Sequence, residues 1–246
     1  DLFDSLDCVG LEGFIEHTFG VQMKSSTFAQ YANVQEIANY IAQYKTRSEV
    51  ENTDWKSILL SDTSYLNIAS TWAIHTKVVK LMHKYLKKHN NLEVKGIENI
   101  PLEGQFIIAP NHQSAIDGNI CVAGLKEETM RNTYYYATEE HIQGYPLQLM
   151  ARHNNVILMQ HQNLKDSILR MAKVLRQGKN LVIFPEGRRT EDGKMQTFKK
   201  TFAILSKELN VPIVPVRIKG AYEAMPRGTK RLGKHKITVT YLPVIK

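Results

Sequence analysis

Phe106-Ile107-Ile108-Ala109-Pro110-Asn111-His112-Gln113-Ser114-Ala115-Ile116-Asp117 is the stretch from which the fold can be read outward. Its apolar run, 106–109, is short enough for a buried strand, and Pro110 closes it. Ile120, Cys121, Val122 and Leu125 then recur at helical spacing, predicting a helix over about 117–127. His112 therefore falls where a strand gives way to a helix, the place where open α/β sheets collect ligands. Asn111 suits an N-cap, and Asp117 would fall about a turn and a half into the helix. A helix N-terminus disfavours a cationic ring. A carboxylate at Asp117 offsets that, fixes the tautomer and leaves the other ring nitrogen to accept a proton. A His five residues before an Asp is common in other settings, so the pair gains meaning only from the rest of the chain.

Composition sets the outer bounds. The 246 residues, 43% hydrophobic and 23% charged, suit one large domain or one medium and one small. The two cysteines, Cys8 and Cys121, give no disulfide framework, which fits a reducing, cytoplasmic setting. No run approaches the roughly 18 apolar residues of a membrane span. Net charge is +8 but unevenly spread. Residues 1–47 hold six acids against three bases, a net of −3, so the remainder carries +11. An acidic small part joined to a basic large part predicts two modules, the larger favouring an anionic partner.

Leu6, Val9, Leu11, Phe14, Ile15 and Phe19 predict a helix over 4–19 stopped by Gly20. A loop and a second helix through Val34, Ile37, Ala38, Ile41 and Ala42 follow. Asp4-Ser5-Leu6, the acidic helix, Phe19-Gly20-Val21 and the closing helix resemble the C-terminal part of an acyl carrier protein. The resemblance implies a 4′-phosphopantetheine arm on Ser5 holding the acyl group as a thioester. That family's first helix and loop would precede residue 1, so 1–47 reads as a partial, all-α carrier domain. On the residues alone, Ser5 is equally a helix N-cap.

Residues 48–63 read as a polar linker interrupted by Trp55 and Ile58-Leu59-Leu60. A long amphipathic candidate over 64–88 places Tyr65, Ile68, Trp72, Val79, Met82 and Leu86 on one stripe. Lys77, Lys80, Lys84, Lys87 and Lys88 flank it. It suits either an anionic bilayer surface or the side of the main domain with a solvated Lys face. Strands are then predicted at 106–109, 156–159, 181–184, 213–218 and 236–242. They alternate with helices at 117–127, 144–153, 164–177 and 199–209. The pattern is an α/β layer, a mixed, mostly parallel sheet flanked by helices, over 64–246.

A second block, Leu181-Val182-Ile183-Phe184-Pro185-Glu186-Gly187-Arg188-Arg189-Thr190, again sets polar groups at the end of a buried strand. Gly187 permits close backbone approach and an amide facing a phosphate or oxyanion. Arg189 offers a planar fork for phosphate. The late run Val211-Pro212-Ile213-Val214-Pro215-Val216 carries prolines that belong at sheet edges or strand ends, predicting an unusual, non-central strand.

Together, His112-x-x-x-x-Asp117, Phe184-Pro185-Glu186-Gly187-x-Arg189-Thr190 and Val211-Pro212-Ile213-x-Pro215-Val216 resemble the glycerolipid acyltransferases, including the 1-acylglycerol-3-phosphate acyltransferases. The resemblance implies His112 as general base toward a glycerol hydroxyl and Asp117 as the group that orients it. It implies that Glu186, Gly187 and Arg189 hold the acceptor's phosphate and that Pro215 shapes a pocket, with Asn111 and Thr190 completing the substrate-binding set. The donor would be an acyl thioester of carrier protein or coenzyme A, and the acceptor a lysophospholipid or glycerol phosphate. No metal and no acyl-enzyme are required. Where the family usually has a strand ending in Arg, this chain has Gln160 and His161, and Arg188 is an additional cation near the same site. A peripheral place on the inner face of an anionic membrane follows from the lipid acceptor and the Lys-rich stretch.

Rival chemistries lack support in the residues. There is no Gly-x-Ser-x-Gly elbow and no Gly-rich nucleotide cradle, and His141, His153 and His161 lack metal-ligand spacing. Nucleic acid is disfavoured as a partner, because Tyr134-Tyr135-Tyr136 on a strand would split between two faces. The alternative that survives is a carrier module fused to a non-catalytic, lipid- or membrane-binding domain.

Overall fold

A computed structural model describes residues 5–31, 33–46, 55–68, 75–138, 154–159, 164–229 and 231–246. The N-terminal part holds α1 (Ser5–Phe19), a 3-10 turn (Ser25–Gln30) and α2 (Val34–Tyr44). Gly20, at φ 68°, stops α1 by donating its N–H to Glu16 O at 3.0 Å. Asn33 caps α2 by accepting the Glu36 N–H at 3.0 Å. Ile15, Val21, Met23, Phe28 and Ile37 form a small core of their own.

This part is also fastened to the rest. Val9, on α1, is fully buried in the same apolar cluster as Leu59, Ile107 and Met171. Gly13 allows the close approach, since a Cβ there would stand 2.7 Å from Ile58 Cδ1. Glu16 pairs with Lys165. The stretch expected to be a linker contains α3 (Trp55–Leu60), with Ile58 and Leu59 buried between α1 and the main domain. Ile58 and Leu59 bury apolar surface that a solvated linker would leave in water, while Leu60 stays exposed.

After α4 (His75–His89) come β1 (Glu93–Lys95), β2 (Ile107–Pro110), α5 (Asp117–Ile120), α6 (Glu127–Arg131), β3 (Thr133–Thr138) and β4 (Val156–Met159). Next are α7 (Leu164–Arg176), β5 (Asn180–Val182), α8 (Thr201–Leu209), β6 (Ile213–Lys219), α9 (Ala221–Ala224) and β7 (Thr238–Tyr241). Among the described residues, seven strands form one sheet in the order β1-β7-β6-β2-β5-β3-β4. Every pairing is parallel except β6 with β7. The apolar runs feed both faces in turn. Ile107, Leu181 and Ile213 pack with α7 and α8, while Ile108, Val182 and Val214 pack with Val79 and Leu86 of α4.

The mixed, mostly parallel sheet with helices on both faces matches the sequence expectation. Several boundaries differ. The helix expected over 117–127 is only α5, so Asp117 is its first residue and Ile116, not Asn111, sits at its N-cap. The amphipathic helix over 64–88 is regular from His75 onward, whereas 61–68 runs through turns. β1 and β3 were not expected, and Tyr134 and Tyr135 on β3 face opposite core clusters. The helix expected over 144–153, and Gln160 and His161, lie outside the described residues.

The largest correction concerns β6, which lies inside the sheet between β2 and β7. Pro215 is tolerated there because of where β7 stops. The β6–β7 ladder runs from Lys219↔Thr238 to Val216↔Tyr241, and Pro215 comes just beyond it. Its carbonyl still accepts the Leu242 N–H at 2.9 Å, so only the reciprocal bond is missing.

Candidate active site

Sheet order builds the site. β2 and β5 are parallel neighbours with Ile108 opposite Val182. The chains leaving their C-terminal ends therefore carry His112 and Glu186 out side by side, each four residues beyond that pair. The His112 N–H donates to Glu186 Oε1 at 2.7 Å, and Glu186 Oε2 accepts the Gln196 N–H at 2.8 Å. The Thr190 N–H donates to His112 O at 2.9 Å. The backbone of His112 is thus clamped on both sides by the second block.

The His112 ring is oriented twice. Its Nδ1 lies 2.9 Å from Asp117 Oδ2, and an Nδ1–H donated to that carboxylate makes Nε2 the ring nitrogen that can accept a proton. The ring also stacks on Phe184, with centroids 3.9 Å apart and planes at 21°. Asp117 is fully buried, and the same Oδ2 accepts the N–H groups of Gln113 and Ser114 at 2.5 and 2.6 Å. Burial pushes its carboxyl above the usual range, while the His112 ring and these N–H donors pull the other way. Beneath it the Cys121 thiol is also buried and raised well above the ordinary thiol range. Ser114 is buried too, with its hydroxyl donated to Met225 O. Neither is placed as a nucleophile.

A cleft of about 1460 Å³ opens over the dyad. Its lining includes the apolar and aromatic side chains of Tyr135, Tyr136, Ile183 and Phe202 and the cations Arg188, Arg189, Lys194 and Lys199. Of the residues expected to bind substrate, Glu186, Gly187, Arg188 and Arg189 line it; Asn111, Thr190 and Pro215 do not. Asn111 instead joins β2 to β6, donating to Ile218 O at 3.1 Å and accepting the Ile218 N–H at 2.7 Å. Thr190 Oγ1 donates to Asp192 Oδ1. The Gly187 amide, expected to face an anion, closes its own turn onto Phe184 O at 3.0 Å, with φ at 71°. Arg188 Nε donates to Gln196 Oε1 at 2.9 Å, and Arg189 Nε is buried with no hydrogen-bond partner. Ser5 heads α1, but its side chain lies outside the described residues.

Sequence reasoning missed Gln196 and Lys199. Gln196 ties Glu186, Arg188 and, through its amide nitrogen, Arg189 O together. Lys199 returns to the same turn by donating its N–H to Pro185 O at 2.7 Å. Phe198-Lys199-Lys200 was the available signal, but its position depends on how the 188–198 loop closes.

An open, doubly covered α/β sheet with its crevice beyond the C-terminal ends of adjacent parallel strands is the class defined by this fold and site. The acyltransferase family model matches residues 91–219, just over half of the chain, and the chain belongs to that family. It is 32% identical over 162 residues to a 1-acyl-sn-glycerol-3-phosphate acyltransferase of Limnanthes alba, covering 63% of this chain and 54% of that protein. It is 26% identical over 175 residues to the human 1-acyl-sn-glycerol-3-phosphate acyltransferase alpha, covering 69% of this chain and 60% of that one. The crystal structure of the PlsC acyltransferase from Thermotoga maritima superposes with a TM-score of 0.51 at 26% identity, covering 69% of this chain and 71% of its own. The chain spans between 29% and 60% of the length of the curated relatives it matches.

Proposed function

We propose that this chain transfers a fatty acyl group from an acyl thioester to the free hydroxyl of a lysophospholipid such as 1-acylglycerol 3-phosphate. The observation that carries the reading is the 2.9 Å His112–Asp117 contact, with His112 on the wall of a cleft that four cations also line. His112 Nε2 takes the hydroxyl proton as the oxygen attacks the thioester carbonyl carbon. The C–S bond then breaks, and the departing sulfur receives that proton from Nε2. Asp117 holds the Nδ1–H tautomer and balances the imidazolium that forms between the two steps. Glu186 acts through the His112 backbone rather than on phosphate, since both its oxygens accept main-chain N–H groups.

Two further parts belong to the same reading. Residues 1–47 serve as a carrier-like donor module with the pantetheine arm on Ser5. Support comes from the helix–turn–helix with its own core and from its fastening to α3 and α7. The acceptor is met at an anionic, inner-face membrane surface. On α4, Val78, Leu81, Met82 and Tyr85 are exposed beside Lys77, Lys84, Lys87 and Lys88, with Leu81 at 70%. No helix among the described residues is long and apolar enough to cross a membrane.

The test is His112→Ala, assayed for thiol release from acyl-coenzyme A and from acyl carrier protein with 1-acylglycerol 3-phosphate present. Turnover should fall about 10²–10⁴-fold with an unchanged thermal melt. Undiminished turnover would rule out the base assignment.

A further inference from the structure

Val79 and Leu86 seat α4 in the cluster that also buries Ile120 and Cys121. His83 stands between them, four residues after Val79 and three before Leu86, and so lies on the same side of the helix. A polar ring on that side needs a partner. Its Nε2 lies 2.6 Å from Asn119 O, and because a carbonyl only accepts, that nitrogen carries the hydrogen. Burial holds the ring below the usual imidazole range, so it donates as a neutral group.

Asn119 O is a carbonyl that α5 does not answer from within. α5 is a single turn, Asp117–Ile120, and the chain tightens after it. The Ala123 N–H, which would reach back to Asn119 O in a longer helix, bonds Ile120 O at 3.0 Å instead. The carbonyl before it, Gly118 O, is met by the Cys121 thiol at 3.4 Å. One turn of helix does not hold itself in water, so α5 depends on such partners.

The turn they hold begins with Asp117. Its Oδ2 carries all three bonds, to His112, Gln113 and Ser114, while Oδ1 is buried with no partner among the described residues. The aim of the carboxylate at His112 therefore follows from where α5 keeps the Asp117 backbone. His83 is a fixed donor for that purpose, because Thr76 and Lys80 fasten α4 to Glu127 of α6.

We propose that His83 is a positioning residue for the dyad: from a neighbouring helix it caps the C-terminal end of α5 and so keeps Asp117 aimed at His112. Its part in turnover rests on the acyl-transfer reading, whereas the cap itself can be measured without catalysis.

The experiment compares His83→Leu, which fills the space and donates nothing, with His83→Gln, whose amide N–H can reach the same carbonyl. In steady-state thiol release, His83→Leu should lower kcat about 5–50-fold with KM within about twofold, and His83→Gln should stay within about threefold of wild type. In an Asp117→Asn background His83→Leu should cost less than about twofold, because no charge is left to aim. Amide hydrogen exchange at Ile120 and Cys121 should quicken about tenfold in His83→Leu and not in His83→Gln, with the amides of β5 unchanged. Unchanged kcat in His83→Leu, or an equal loss with and without the Asp117 carboxylate, would overturn the positioning role. Exchange at Ile120 and Cys121 as slow in His83→Leu as in wild type would overturn the cap. A wild type that shows the exchange pattern but no turnover would sink the acyl-transfer reading and leave the cap standing.

Discussion

Asp117→Asn removes one charge from the dyad while keeping its shape, and the structure sets the size of the effect. In the ground state the carboxylate faces a neutral imidazole; once the hydroxyl proton moves to Nε2 it faces an imidazolium. At 2.9 Å that charge pair is worth about 6 kcal/mol at an effective dielectric near 20. A neutral amide oxygen in the same place retains about 1–2 kcal/mol as a hydrogen bond. The difference of about 4 kcal/mol appears only as the reaction proceeds, so it falls on kcat, about a thousandfold, with KM little changed. Stability moves the other way. Burial raises this carboxyl in the folded chain, so its contribution to folding is favourable below the ordinary carboxylate range and is lost as pH rises through the raised value. Above that raised value the ionised group opposes folding, and an amide, which does not ionise, removes this pH dependence. Steady-state thiol release and a thermal melt at neutral pH measure both quantities. A kcat within about threefold of wild type would refute the charge argument, and a thousandfold loss with a lower Tm would place the fault in the fold instead.

Glu186→Gln puts an amide NH2 against one of two N–H donors, those of His112 and Gln196; the mismatch of about 1–3 kcal/mol should cost kcat roughly 10–100-fold and lower the Tm. A variant with unchanged kinetics would deny the carboxylate its hold on the His112 backbone. Leu59→Ala should destabilise the chain by about 2–5 kcal/mol in urea titrations, because Leu59 is fully buried between α1 and the main domain. A loss below about 0.5 kcal/mol, the range of surface substitutions, would return 55–60 to the status of a linker. Cys121→Ala should keep kcat within about twofold. In the native wild type a thiol reagent should leave Cys121 unlabelled, since burial both shields the thiol and retains its proton. Rapid labelling of Cys121 would contradict that burial.

The amino-acid sequence by itself determined whatever depends on neighbours along the chain. Runs such as Phe106–Ala109 and Leu181–Phe184, apolar at every position, report strands buried on both faces and hence a layered α/β sheet. His112 and Asp117 are close enough in sequence for one turn to join them, and they do meet. Tertiary structure alone decided what lies beside what. Glu186 clamps His112 because β5 happens to adjoin β2, a choice made by how helices pack between strands and invisible in either strand's own pattern. Pro215 looked like an edge signal because a missing N–H is a local fact, whereas the place where β7 ends, which makes that loss harmless, is not. Val9 read as part of a separate module and Leu59 as part of a linker until packing buried them in one cluster. Nothing along the chain ties Lys199 to the second block; only the closing of the 188–198 loop sets its N–H on Pro185 O. Periodicity records which residues leave water; only the folded chain records which residues they meet when they do.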